Sequence, residues 1–258
     1  MRFTPFVAVC TLSWLLLSGT AEAASYPIRD PTLTKNRLYR TGTIKPIRCP
    51  EKDIRPNDVN SAKRYLTSVL NCLNASWGAH FKKAGLPFAK AKIGFITKPR
   101  RFCGSSWGKG TAGRYCDKER RFLVHLEGTL LTDPSDLFLF SLAAHEYGHH
   151  IQNITGLSQA FIDHPYKGKS ELNEQLRRNE LQAECLAGAF IGSVWDSLNR
   201  TTDDWDFLLD LNRRGGDEYT KDHDHGKGRN IAAWLDRGFK AAAPAACNTW
   251  VAASAKVS

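Results

Sequence analysis

The amino-acid sequence predicts an α+β fold that is mainly helical and carries a small sheet. Three long stretches, beginning near residues 57, 133 and 170, place apolar residues at helical spacing. Two short runs of β-forming residues, 92–97 and 121–126, lie between the first and second stretches. Runs of helices beside a few neighbouring strands are typical of the α+β class rather than of alternating α/β folds.

The first 23 residues are predicted to be a secretory signal peptide. Met1-Arg2 precedes an apolar run, residues 6–17, and Ala21-Glu22-Ala23 fits the small-residue rule for cleavage after Ala23. The apolar run is about a dozen residues long, which is too short to span a membrane. No other apolar run approaches membrane length, so we expect a secreted or extracytoplasmic protein without a membrane span.

Residues 24–55 are rich in proline and basic residues and show no clear period, so we expect an extended N-terminal arm. The remaining residues, 56–258, are enough for one domain with a large core. The first helix of that domain is capped within residues 57–60. Its predicted buried face consists of Tyr65, Leu66, Val69, Leu70, Leu73 and Trp77.

Six cysteines remain when Cys10 in the predicted signal peptide is set aside. An even number in an exported chain indicates disulfides, and six cysteines allow fifteen connectivities. Zinc thiolates are the rival interpretation, but the chain has no C-x-x-C pair. The glycine-rich loop 104–113 is expected to close as a hairpin. Nearest-neighbour spacing favours the pairs Cys49–Cys72, Cys103–Cys116 and Cys185–Cys247.

Basic residues are concentrated between residues 82 and 121. This segment holds twelve Lys and Arg against Asp117 and Glu119, a net charge of +10 that equals the formal excess of the whole chain. Such a surface attracts an anionic cell-surface polymer, a membrane surface or nucleic acid. We favour the plainer interpretation of a charged, soluble face. No helix-turn-helix, RNP or zinc-finger pattern accompanies the charge, so no specific nucleic-acid partner is expected.

The second predicted helix carries H-E-x-x-H, formed by His145, Glu146 and His149. Residues four apart lie one turn apart on one helix face, so both imidazoles can bind one ion. Zinc favours nitrogen ligands and keeps a position open for water at catalytic sites. Glu146 lies near the same face, where it can take a proton from that water. His150 lies about 100° round the helix from His149 and is expected to pack or to support a ligand.

The third predicted helix starts at Ser170, runs to about Asn199 and places Glu180 and Glu184 one turn apart on one face. A carboxylate from a separate antiparallel helix is the usual completion of a His-His-Glu zinc site. A second carboxylate can orient a ligand histidine through its other ring nitrogen. Both glutamates lie on the correct face, and only one is needed as a ligand.

The short run 121–126 precedes the zinc-binding helix and alternates in side-chain type. A strand in this position often offers an edge to which an extended peptide adds itself. The same alternation also suits an ordinary sheet edge.

Four motifs follow one another in a characteristic order: H-E-Y-G-H-H-I-Q at 145–152, N-E-L-Q-A-E-C-L-A-G at 179–188, G-D-E at 216–218, and His225-Gly226 with Arg229. Together they resemble the bacterial putative neutral zinc metallopeptidase family, with matching runs over about residues 100–250. The resemblance implies a zincin-like metalloprotease fold, one Zn²⁺ and proteolytic activity on peptide or protein substrates. It also implies that Glu180 binds zinc and that Glu184 orients a ligand histidine, although Glu184 stands where an Asp is more usual.

Other site types fit the residues less well. The longer H-E-x-x-H-x-x-G-x-x-H site requires Gly at 152 and His at 155, where this chain has Gln152 and Thr155. A Ser-His-Asp hydrolase would use a G-x-S-x-G elbow, which the sequence lacks. His164 is a rival third ligand, but it lies in a predicted loop beside Pro165.

The expected reaction is hydrolysis of a peptide or related amide, with Glu146 as the general base. A hydrogen-bonding or positive group must also meet the oxyanion, and His225 is the first candidate, with Arg229 the second. The alternative function is a secreted binding module with structural zinc, whose basic surface at residues 82–121 binds an anionic polymer. Glu146 argues against this alternative, since a purely structural site needs no base.

Overall fold

The computed structural model of the chain describes residues 28–132, 136–219 and 223–258. The predicted signal peptide, its cleavage site and the expected helix start at residue 133 lie outside these ranges. The described residues form a mainly helical fold with one three-stranded sheet, which confirms the α+β class. The helices are α1 (Pro31–Thr34), α2 (Val59–Ala84), α3 (Thr129–Thr132), α4 (Asp136–Ile154), α5 (Leu157–Asp163), α6 (Lys169–Val194), α7 (Thr202–Arg213) and α8 (Gly228–Ala241), and the strands are β1 (Lys92–Ile96), β2 (Gly113–Cys116) and β3 (Arg121–His125).

Helix α2 buries the face that its periodicity predicts, from Tyr65 to Trp77. Its N-cap is Asp58, whose side chain accepts a hydrogen bond from the Ser61 backbone N–H at 2.9 Å. Gly85 ends the helix in the left-handed conformation, with φ +63°. A polar cap at the start and a glycine at the end are the usual helix boundaries.

Residues 28–55 differ from the extended arm that the sequence predicted. They contain α1 and a 3-10 turn, Arg37–Arg40, and they bury Leu33, Leu38 and Ile44 in the main core. Turns of four residues bury single side chains instead of a stripe, so no period was visible in the sequence. The segment is therefore an integral part of the core.

The sheet has the strand order β1-β3-β2, with β1 parallel and β2 antiparallel to β3. The predicted hairpin within residues 104–113 is wrong, because the hairpin joins β2 to β3 across residues 117–120. Strand β3 was the predicted edge, but it is the central strand, and β2 forms one edge of the sheet. Strand pairing is a long-range property that alternation within one strand does not reveal.

The two faces of the sheet contact different cores. Phe122 and Val124 of β3 face the main helical core. On the opposite face, the loop before β2 contributes Phe102 and Trp107 to a small cluster with Leu123. A disulfide, Cys103–Cys116, joins this loop to the end of β2.

Helix α6 lies between α4 and α8 and contacts both. A β-carbon on Gly148 of α4 would lie 2.6 Å from the Ala183 carbonyl oxygen, and one on Gly238 of α8 would lie 1.9 Å from the Cys185 carbonyl oxygen. Glycine at these crossings therefore allows the backbones to touch. Helix α6 ends at Val194 and continues as a 3-10 turn, so it is shorter than the predicted helix to Asn199.

Three disulfides join the pairs that the spacing favoured, Cys49–Cys72, Cys103–Cys116 and Cys185–Cys247. The third ties α6 to a 3-10 turn after α8, Pro244–Cys247. None of the helices in the described residues is long and apolar enough to cross a membrane.

Candidate metal centre

Helices α4 and α6 bring His145, His149 and Glu180 together. Glu180 Oε2 lies 3.4 Å from His145 Nε2 and 3.1 Å from His149 Nε2. One ligand atom from each of the three residues lies within 4.8 Å of the other two. Each side chain is less than one-fifth exposed, so the cluster is largely buried but still reached by solvent.

The other ring nitrogens of the two histidines have different partners. His145 Nδ1 donates a hydrogen bond to Glu184 Oε2 at 2.8 Å, and His149 Nδ1 donates to Gln152 Oε1 at 2.8 Å. Both rings therefore present Nε2 to the cluster. Glu184 has the position expected for a residue that orients a ligand histidine, whereas the sequence analysis gave Gln152 no role.

Gln152 continues into a buried chain of amides. Its Nε2 donates to the Asn179 carbonyl oxygen at 2.7 Å and to Gln182 Oε1 at 3.1 Å. Gln182 Nε2 in turn donates to the Tyr39 hydroxyl at 2.8 Å and to the Cys247 carbonyl oxygen at 3.1 Å. Both glutamines are fully buried, so their side-chain orientations are fixed by these bonds. The orientation of His149 thus depends, through Gln152, on three distant parts of the chain: helix α6, Tyr39 and Cys247.

The donor set fits a zinc ion. Burial lowers the pKa of His145, but its hydrogen bonds to Glu180 and Glu184 outweigh burial and raise that pKa well above its usual value. Burial alone would raise the pKa of Glu180, but the nearby His149 and His145 hold it well below its usual value. The Nε2 atoms of both imidazoles and Glu180 Oε2 thus face one another at the place where a metal would bind. Two imidazole nitrogens and one carboxylate are a common ligand set for catalytic zinc.

Glu146 lies beside the cluster with an unused oxygen. The side chain is buried, and its Oε2 has no hydrogen-bond partner. Burial raises the pKa of this carboxyl, while the charges of His145 and His149 oppose the rise. Buried carboxylate oxygens are normally satisfied, so this oxygen beside the candidate metal ligands is one that a water or a substrate can satisfy.

Strand β2 lies directly against this carboxylate. A β-carbon on Gly113 would lie 2.5 Å from Glu146 Oε1. Tyr115, two residues along the strand, donates its hydroxyl to His150 Nδ1 at 2.8 Å. His150 is fully buried, with Nε2 bonded to the Ala89 carbonyl oxygen at 2.7 Å, and burial lowers its pKa to about 4. The sequence analysis found neither β2 nor the role of Gly113.

His225 approaches the cluster from the loop before α8. Its Nε2 lies 3.7 Å from Glu180 Oε2, and its Nδ1 donates to Asp224 Oδ1 at 2.6 Å. Burial lowers the pKa of His225, but the hydrogen bond to Asp224 and the charge of Glu180 outweigh it and raise the pKa to about 9. The side chain of His225 remains half-exposed, so a ligand in solvent can reach it.

Asp217 holds the loop that carries His225. Its carboxylate accepts the backbone N–H of His225 at 3.1 Å and that of Gly226 at 2.8 Å. Asp217 is buried, and its own N–H donates to the Gly226 carbonyl oxygen at 2.9 Å. The sequence analysis included Asp217 in a motif without assigning it a function.

The remaining candidates lie elsewhere. Arg229 is exposed in the first turn of α8. His164 ends α5, and within the described residues the candidate metal cluster around His145 and His149 contains Glu180 and not His164.

Comparison with known proteins identifies the family of the chain. The family model described as "Putative neutral zinc metallopeptidase" matches residues 41–250. Two curated relatives, each described as "Uncharacterized protein YpfJ", come from Escherichia coli strain K12 and from Escherichia coli O6:H1 strain CFT073. Each is 26% identical over 217 residues, which covers 77% of this chain and 75% of the relative. No solved structure matches the chain. The family model spans most of the chain and every residue of the cluster, and the chain therefore belongs to the putative neutral zinc metallopeptidase family.

Proposed function

We propose that this protein is a zinc-dependent peptidase that hydrolyses peptide bonds with Glu146 as the general base. The observation that carries the proposal is the buried Glu146 oxygen without a partner, beside two imidazoles and a carboxylate that converge on one point. His145, His149 and Glu180 would hold the ion. When bound, zinc supplies Lewis acidity, which polarises the carbonyl and acidifies water.

Glu146 accepts the proton of the attacking water and returns it to the leaving amine. A carboxyl whose pKa is raised by burial is a stronger base than an exposed one. A β-carbon at residue 113 would lie 2.5 Å from Oε1, so glycine at this position leaves room for the carboxylate. General bases of this kind contribute about 10²- to 10⁴-fold to the rate.

His225 is the proposed hydrogen-bond donor to the oxyanion. Its Nδ1 is bonded to Asp224, so Nε2 is the nitrogen left for the substrate. The same Nε2 lies 3.7 Å from Glu180 Oε2, one of the proposed ligand atoms. Donors fixed before the reaction stabilise a developing oxyanion without reorganisation.

The free edge of β2 is the proposed binding site for the substrate backbone. The β2 strand pairs with β3 on one side, and the described residues provide no strand on its other side. Because Gly113 touches Glu146, a peptide that added to this edge would pass directly beside the general base.

We also infer that the protein is exported. The inference rests on the predicted signal peptide, residues 1–23, and on three disulfides, which persist in oxidising compartments. N-terminal sequencing of the mature protein should start at Ala24.

The proposed activity is tested with purified mature protein of measured metal content. Casein and fluorogenic peptides should be cleaved, a chelator should abolish cleavage, and zinc should restore it. Glu146→Gln should retain zinc and fold but lose at least about 10²-fold in turnover, because an amide is nearly isosteric and cannot accept the proton. Glu119→Gln, at an exposed surface pair with Arg121, is the matched control and should behave as wild type.

Two results would contradict the proposal. Glu146→Gln with more than about a tenth of wild-type turnover would exclude the general-base role, given the usual contribution of such a group. The second result is that the zinc-loaded protein cleaves no peptide, yet binds an anionic polymer both after chelation and after Glu146→Gln. This result would favour the alternative function, a secreted binding module.

A further inference from the structure

The hydrogen-bonding pattern of β2 shows which of its backbone groups point away from β3, to the free edge of the sheet. The His125 backbone N–H donates to the Ala112 carbonyl oxygen at 2.8 Å, and Arg114 lies opposite Leu123 in the antiparallel register. Bonded and non-bonded pairs alternate along such a ladder. Residues 112, 114 and 116 therefore bond to β3, and the N–H and C=O groups of Gly113 and Tyr115 point to the free edge.

Side chains along β2 alternate between two faces of the sheet. Tyr115 faces α4, where its hydroxyl contacts His150, and Gly113 faces the Glu146 carboxylate. Arg114 and Cys116 consequently lie on the opposite face, beside the small cluster that contains Trp107. An extended peptide paired with β2 alternates in the same way.

The guanidinium of Arg114 is held in place on that opposite face. Its Nη1 donates to Ser105 Oγ at 2.8 Å and to the Ser106 carbonyl oxygen at 3.0 Å. Its central carbon lies 5.6 Å from the centre of the Trp107 ring. Trp107 is itself fixed, since it is buried and its indole N–H donates to the Thr111 carbonyl oxygen at 2.8 Å. A charge held by fixed neighbours loses little side-chain entropy when it binds a ligand.

The charge of Arg114 is not compensated by a carboxylate within the part of the chain that the structure describes. None of the ion pairs there includes this guanidinium. The exposed groups of the adjoining loop, Arg100, Arg101 and Lys109, are also cationic. The surface around Arg114 therefore attracts a negative side chain.

We propose that Arg114 selects peptide substrates that carry Asp or Glu next to the residue opposite Gly113, at the position that pairs with Arg114. The proposal rests on the proposed peptidase function and on substrate pairing with β2. Directly opposite side chains on paired strands have β-carbons about 4.5–5.5 Å apart, within reach of a carboxylate–guanidinium contact. Such charge-assisted bonds are both strong and directional.

The test uses fluorogenic peptides that differ only by Glu, Gln or Lys at each position flanking the cleaved bond. At one flanking position, wild type should prefer Glu to Gln by about 10-fold or more in kcat/KM, the effect expected of a hydrogen bond to a charged group. Arg114→Glu should reverse the preference towards Lys at that position alone. Lys118→Glu is the matched control, because it makes the same change of charge in the exposed β2–β3 turn. It should preserve the wild-type ratio of kcat/KM for the Glu and Gln peptides.

A binding measurement separates this proposal from the peptidase function. Fluorescence anisotropy with Glu146→Gln protein should show tighter binding of the Glu peptide than of the Gln peptide, and Arg114→Glu in that background should remove the difference. If Arg114→Glu fails to fold, Arg114→Lys replaces it, with its fold checked by circular dichroism. Arg114→Lys should weaken the preference for the Glu peptide over the Gln peptide. Two results overturn the proposal and leave the peptidase function standing. One is equal kcat/KM for the Glu and Gln peptides in wild type, and the other is an unchanged ratio of these kcat/KM values in a folded Arg114 variant. No cleavage of any peptide overturns both.

Discussion

Replacing Gly113 by alanine should remove activity without removing zinc. The new β-carbon would lie 2.5 Å from Glu146 Oε1 and 2.9 Å from Glu146 Cδ. Carbon atoms pack at about 3.5–4.0 Å, so one partner must retreat by about 1 Å. The strand is held by β3, by the Cys103–Cys116 disulfide and by the Tyr115 hydroxyl, whereas the carboxylate is the end of a flexible side chain. The carboxylate is therefore the group that moves.

A displacement of about 1 Å at a reacting group can cost about 10²-fold in rate. We expect Gly113→Ala to lose about that factor in kcat/KM on a fluorogenic peptide, with zinc stoichiometry and the thermal unfolding midpoint close to wild type. Gly168→Ala is the matched control, because nothing lies within 4 Å of its added carbon and its φ of −177° is open to any residue. Activity of Gly113→Ala within about three-fold of wild type, far short of that factor, would refute this account of how β2 restrains Glu146.

Further variants test the ligand set and the fold. Glu180→Ala should purify without zinc, whereas Glu184→Ala should keep some zinc and lose about 10- to 100-fold in affinity or activity; the reverse pattern, by metal analysis, would exchange their roles. His225→Ala should lower turnover with zinc content unchanged, and loss of zinc would make His225 a ligand. Arg178→Ala should cost about 3–5 kcal/mol in urea unfolding, because it leaves the buried Glu174 carboxylate, 2.7 Å away, without its ion-pair partner. Adding Glu174→Gln should recover part of that loss, and equal stability of the single and double variants would contradict the argument.

Local patterns predicted the parts of this fold that depend on one element at a time. The buried face of α2 and the pairing of His145 with His149 follow from helical spacing alone, since both concern residues one turn apart. The order of the strands did not follow, because β2 has four residues and includes a glycine, which gives no alternation to detect.

Contacts between distant segments also could not be predicted from the sequence. Gln182 bonds to Tyr39, 143 residues away, and to Cys247, 65 residues away. No periodicity links such positions, and a buried glutamine looks like any other polar residue in a helix. Asp217 is a similar case, since its role depends on backbone groups of a loop that only the folded chain brings near.

The amide chain behind His149 bears on the order in which the molecule is assembled. His145 and His149 become neighbours as soon as α4 forms. Gln152 bonds to the Asn179 carbonyl oxygen of α6 and to Gln182, and Gln182 is held in turn by the Cys247 region and by Tyr39. Contacts over such long sequence separations form late in folding. The support of His149 should therefore be complete only when residues near Tyr39 and Cys247 have packed around α6. A chain cleaved between α8 and Cys247 and then reduced would retain all three candidate ligands but lose part of the support that orients His149.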